Sequence, residues 1–169
     1  MTQPVPPNFA SHAVNRSTVV GASREAVWAW LCDPKTFTEG NLPPWRVEFL
    51  PALEGGPTDF SPGVYTNHHG PFMNLPAVIT AVQKPEYRAM DYLYGSSIIT
   101  LRMIRPTRLQ FWLAEVDGGT RVTVQLDSLV HRWWGWLWTL AQIPFWWSFL
   151  LGIKCLFWLR RMRKHGTRS

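Results

Sequence analysis

A chain of 169 residues has room for one domain with a core of its own, and not for two of ordinary size. With 46% hydrophobic and only 17% charged residues it is too apolar to be a disordered protein. The formal charge of +6 is confined to one end, because no acidic residue follows Asp127 while Arg132, Lys154, Arg160, Arg161, Arg163, Lys164 and Arg168 do; the excess is a basic tail and not the basic groove of a nucleic-acid binder, so no nucleic-acid partner is expected.

Residues 1–11, with three prolines, read as a loose arm. They lack the basic and apolar stretches of a secretory signal, so a cytoplasmic location is expected. His12–Val20 is rich in Val, Thr and Ser and predicts a strand. Gly21-Ala22 breaks it, and Ser23 is placed to cap a helix over Glu25–Leu31, with Val27, Trp28 and Leu31 on one face. Asp33-Pro34 stops that helix and opens a second short one through Phe37. Trp45, Val47 and Phe49 alternate with Arg46 and Glu48 at the period of a half-buried strand.

Further strands are predicted at Gly63–His69, Leu75–Gln83, Tyr87–Tyr94, Ile98–Ile104, Leu109–Glu115 and Thr120–Val130. Asp117-Gly118-Gly119 is the clearest hairpin turn among them, since glycine tolerates positive φ. Short connections between consecutive strands imply antiparallel pairing. From His131 to His165 the pattern becomes a long helix, interrupted or bent at Pro144, whose missing N–H removes a ladder bond. This helix is the one segment long enough to cover the apolar face of the sheet. Residues 12–165 are therefore expected to form one domain, with 131–165 as its terminal helix.

The stretch from Val19 to Pro34, with its Gly21-Ala22-Ser23 break, Glu25-Ala26-Val27-Trp28 helix and Asp33-Pro34 stop, resembles the opening of the polyketide cyclase/START-like (SRPBCC) superfamily. Val116–Thr123 is similar to that family's last hairpin, and the long helix falls where the family places its own. The resemblance covers roughly residues 12–164. It implies an α+β helix-grip fold: a curved antiparallel sheet of seven or eight strands, two short helices and a long C-terminal helix. Between sheet and helix it implies a cavity used for lipids, polyketides or other apolar compounds. The family has no universal catalytic set, so no catalytic residue follows from it.

Candidate cavity residues are Trp28, Tyr65, His69, Tyr92, Trp112, Trp134 and Trp138. Polar groups for a cyclase or dehydratase would come from Tyr65, Asn67 and His69 on one strand face, and from Arg88, Met90, Tyr92 and Tyr94 on another. His68 and His69 are adjacent on a strand and point to opposite faces, and the remaining histidines have no ligand spacing, so neither a metal nor a cofactor is expected. Cys32 and Cys155 read as reduced structural thiols.

Seven of the eleven tryptophans follow position 130, and Trp133–Ile153 is a run of 21 residues without charge. At about 1.5 Å per residue that run could cross a bilayer core of about 30 Å. A simple span would send the basic tail to the far side, against the positive-inside bias. The preferred expectation is a helix whose first part packs under the sheet and whose second part lies at an anionic membrane surface through Trp146, Trp147, Trp158, Arg160, Arg161, Arg163 and Lys164. A purely internal helix with a solvated basic end is the alternative. The leading functional expectation is binding or carriage of an apolar small molecule or lipid, at a membrane surface. The rivals are a cyclase or dehydratase in the same cavity, and a membrane-associated protein-interaction module.

Overall fold

A computed structural model of the chain describes residues 5–40, 46–68, 73–93, 96–97 and 103–166. The first strand, β1 (Phe9–Val20), begins three residues before the predicted start. It pairs antiparallel with β9 (Gly119–His131) along its whole length, from Phe9 opposite His131 to Val20 opposite Thr120. Ser23 caps α1 (Arg24–Leu31) as expected, its Oγ accepting from the Ala26 N–H at 3.3 Å. Val27, Trp28 and Leu31 form the buried face of α1. Asp33 repeats the device for α2 (Pro34–Thr38): its Oδ1 accepts from the Lys35 N–H, Pro34 fills the first turn, and Phe37 is buried.

Seven strands form the main sheet in the order β1-β9-β8-β6-β5-β3-β2. The strands not yet placed are β2 (Val47–Leu50), β3 (Tyr65–His68), β5 (Ala77–Gln83), β6 (Tyr87–Tyr92) and β8 (Ile104–Val116). Every pairing is antiparallel. Two short strands, β4 (Met73–Asn74) and β7 (Ser96–Ser97), make a separate ribbon. The predicted strand over Ile98–Ile104 lies largely outside the described residues. Ile104 itself opens β8, which is longer than the predicted Leu109–Glu115.

Register decides which residues face inward. Ile79 sits opposite Met90, Met90 opposite Leu109, and Leu109 opposite Leu126. One step along, Arg88 sits opposite Phe111 and Phe111 opposite Val124. These rows form one face of the curved sheet, and α3 (Gly135–Gly166) covers it. A 3₁₀ turn, Arg132–Trp134, leads into α3. Thr139 Oγ1 donates to Gly135 O and so accepts from His12 Nε2 at 2.8 Å, fastening the start of the helix to β1.

One expectation about α3 is narrowed and another corrected. Of the expected interruption or bend at Pro144 the interruption does not occur, because Pro144 lies inside one 32-residue element. Nor is its first part the best packed: Trp133, Trp136, Leu137 and Leu140 are exposed, whereas Trp146, Phe149, Leu150, Ile153 and Phe157 are buried. The first apolar residues of the run face away from the sheet, so the helix engages it mainly through its middle turns.

Candidate functional site

Between α3 and the inner face of the sheet lies a cavity of about 340 Å³. Leu109 and Phe111 of β8 and Leu126 of β9 form its floor. Phe37 of α2 and Phe60 of the β2–β3 connection wall one side, and Trp138, Phe145, Trp146 and Phe149 of α3 close it from above. The cavity spans both sides of Pro144, with Trp138, Ala141 and Gln142 before it and Phe145, Trp146 and Phe149 after it.

Among the described lining residues, and apart from the indole N–H groups, only Arg88, Tyr92 and Gln142 bring polar side-chain atoms to this wall. Gln142 Oε1 accepts from Trp146 Nε1 at 2.7 Å. Since an indole nitrogen only donates, the amide oxygen must face Trp146, and the amide nitrogen is the donor pointing elsewhere. The indole N–H of Trp138 is buried without a hydrogen-bond partner. Burial pushes the Tyr92 hydroxyl well above the ordinary phenol range, with the Arg88 charge opposing it.

This order of strands and helices recurs in a solved structure of a norcoclaurine synthase point mutant from Thalictrum flavum in complex with a transition-state analogue. The TM-score is 0.62 at 11% identity, over 90% of this chain and 98% of that one. The chain has the helix-grip fold. An uncharacterized protein from Rhizobium leguminosarum (TM-score 0.55, 11% identity, 72% of this chain and 79% of that one) and Ara h 8.0201 (0.51, 12%, 70% and 78%) share it. No family model and no curated protein matches the chain. At such identities the likeness concerns architecture, and a helix-grip sheet that serves a synthase is not by itself a catalytic signature.

The helix-grip cavity gathers only part of the expected set. Tyr92 and Trp138 line it. Trp28 is buried in the core on α1 and is not part of the lining. Trp112 faces the opposite side of the sheet, because its neighbours Phe111 and Leu113 point inward; there it packs on Tyr87 with ring centroids 5.4 Å apart. Tyr65 is turned outward by the same alternation, since Val64 and Thr66 are the buried neighbours. Trp134 is exposed on the 3₁₀ turn. His69 and Tyr94 lie outside the described residues. Tyr65 and Tyr92 therefore do not meet at the cavity, as Tyr65 does not face it.

Trp146, expected at a membrane, is instead 4% exposed and lines the cavity. Trp147 and Trp158 are exposed, as are Arg160, Arg161 and Arg163; the side chain of Lys164 lies outside the described residues. Phe37, Phe60, Phe111, Phe149 and Gln142 were not expected in the lining. Phe111 could have been found from strand parity, but Phe60 lies in an irregular segment that carries no periodic signal.

The most unusual lining residue is Arg88, which is 1% exposed. Its guanidinium carbon lies 4.0 Å from the ring centroid of Phe60, 4.9 Å from that of Phe111 and 5.8 Å from that of Phe37. Nη1 donates to the carbonyl oxygen of Leu31 at 2.7 Å and lies 3.9 Å from Cys32 Sγ. Burial pushes the guanidinium down to about 10, with Cys32 and Tyr92 acting in the opposite direction. It stays protonated at neutral pH. Burial also pushes the Cys32 thiol up, against the pull of Arg88, and leaves it neutral there.

Proposed function

We propose that this chain binds an apolar small molecule or lipid in its helix-grip cavity and carries it, without chemical change, at an anionic membrane surface on the cytoplasmic side. The observation that carries the binding half is the apolar cavity under α3, with its few polar groups on the wall. Burial stabilises such a ligand by about 25 cal/mol per Å² of apolar surface, and the scarce polar groups set orientation. The solved helix-grip neighbours that hold small molecules, including norcoclaurine synthase with dopamine and hydroxybenzaldehyde, support the same use of the fold.

The membrane half rests on the other face of α3. Trp133 and Trp147 are 81% and 64% exposed, and Trp136, Leu140, Ile143, Leu151 and Trp158 extend the apolar surface toward the basic end at Arg160, Arg161 and Arg163. Tryptophan rings favour the headgroup boundary and the basic side chains favour anionic lipid. The segment Arg132–Arg163 is long and apolar enough to span a bilayer. Yet Trp146, Phe149 and Ile153 of that segment also cover the sheet, so a span would strip the core of its cover. Attachment along the outer face leaves both surfaces satisfied.

A second reading, a cyclase or dehydratase in the same cavity, draws on the likeness to a synthase and on Arg88 and Tyr92 as groups that could polarise a carbonyl. Nile red binding to the protein and to Leu109→Trp, which fills the cavity floor, tests the binding reading. The folded variant, checked by circular dichroism, should lose the high-affinity signal. Unchanged binding would place the dye on the outer face of α3 and overturn the cavity reading. Native mass spectrometry of protein from its own host should find a small molecule released unchanged, whereas turnover abolished by Tyr92→Phe would favour the enzyme.

A further inference from the structure

Resting on the cavity-binding reading, we infer that the ligand is an apolar monocarboxylic acid whose carboxylate pairs with Arg88, its hydrocarbon part lying among the phenylalanine and tryptophan rings of the lining. Arg88 is a buried charge without a counter-charge. All eleven acidic side chains belong to described residues, and none forms an ion pair with Arg88. Asp91 faces Arg108 at 3.3 Å, and Glu86 and Glu115 face Arg24. The groups that act on Arg88 electrostatically are Cys32 and Tyr92, and burial keeps both neutral at physiological pH.

The Leu31 carbonyl and the aromatic cage explain how the guanidinium is held, but both are neutral. A buried guanidinium without an anion bears a desolvation cost that neutral acceptors offset only in part. Its hydrogen bonds to described residues both come from Nη1, while Nε is buried with no partner. The edge left over is the Nε–Nη2 edge, whose two parallel donors match the two oxygens of a carboxylate.

Size agrees. At roughly 30 Å³ per water-sized group, about 340 Å³ holds on the order of eleven such groups. That suits an acid of about ten carbons and is too small for a two-chain lipid. Among the described lining residues Arg88 is the one that carries a charge, the other polar atoms being those of Tyr92, Gln142 and the indoles, so a single charged head at Arg88 and an uncharged body is the complementary shape of ligand.

The probes are decanoic acid and decan-1-ol, which share a chain and differ in the head, titrated at neutral pH by Nile red displacement and by calorimetry. The wild-type protein should bind decanoate at least tenfold more tightly than the alcohol. The preference should survive high salt and the substitution of Arg160, Arg161, Arg163 and Lys164 by Gln, because a buried pair is poorly screened whereas attraction to the basic tail is not. Arg88→Met should lose the preference while keeping affinity for decan-1-ol, and Arg88→Lys should keep part of it. Equal wild-type binding of acid and alcohol would overturn this inference and leave the cavity reading standing. An acid preference that vanishes with salt or with the tail substitutions would overturn it too. If neither compound binds, the cavity reading itself fails. The wild-type comparison needs no folded variant, so a misfolded Arg88→Met leaves the test intact.

Discussion

Leu31 does two things at one position. Its side chain is fully buried between α1 and the sheet, and its carbonyl oxygen accepts the short bond from Arg88. Leu31→Ala keeps the carbonyl and removes only the packing. It should lower unfolding stability by about 2–5 kcal/mol, the range for emptying a leucine site in a packed core. Urea denaturation measures this directly, and a loss well under about 1 kcal/mol would mean that the buried face of α1 has been misassigned. Arg88 also shows why a residue can be visible in a sequence and still be misread. Its place on the same strand face as Met90 and Tyr92 follows from alternation, whereas its isolation from every carboxylate depends on where the acidic residues end up.

At the scale of elements, the β8–β9 hairpin and α3 behave differently. The hairpin turn is specified locally. Gly118 and Gly119 have φ values of 85° and 145°, which other residues rarely adopt. A Cβ on Gly119 would also collide with the carbonyl oxygen of Val20, because β1 runs directly alongside. Gly119→Ala should therefore cost more than about 1 kcal/mol, and more than Gly118→Ala, where the space is open and only backbone strain is added. Denaturation midpoints of the two variants would check the order, and equal losses would remove the steric part of the argument. The terminal helix, by contrast, is apolar on nearly all sides, and its sequence does not say which side meets the sheet. The inward set Gln142, Trp146, Phe149, Leu150, Ile153 and Phe157 follows the spacing of one helix face, but neighbouring faces are almost as apolar.

On the scale of the molecule, the cavity and the exposed apolar surface lie on two different faces of α3, an arrangement suited to loading from a membrane under the proposed function. Anionic vesicles should bring the protein to the top of a flotation gradient at low salt. Each basic residue near such a surface contributes about 1 kcal/mol, so changing Arg160, Arg161, Arg163 and Lys164 to Gln should weaken flotation strongly, as should high salt. Trp133→Ser with Trp147→Ser should weaken it without emptying the cavity, since both rings are exposed. Absence of flotation at low salt would overturn membrane attachment. Flotation indifferent to salt and to the basic substitutions would mean insertion.

The order of the elements, the Ser23 cap and the hairpin turn were legible because each depends on neighbours within a few residues. Ser23 caps the helix it precedes, and Asp117-Gly118 turns where the chain can take positive φ; Asp33, read only as part of a helix stop, also caps α2. The location of the charge was likewise a property of the chain alone. Facing was not. Trp112 and Tyr65 were expected in the cavity and point away from it, because side chains alternate along a strand and a shift of one position exchanges the two faces. Trp146 turned inward while Trp147, one residue on, turned outward, a choice made by the packing of α3 on the sheet. Phe60 reached the cavity from a segment without periodicity, and Arg88 became a buried charge only when Phe37, Phe60 and Phe111 closed around it. What the sequence determined by itself was the succession of local structures and the basic tail; the cavity was decided only by tertiary structure, because its walls come from residues far apart in the chain that strand register and helix packing bring together.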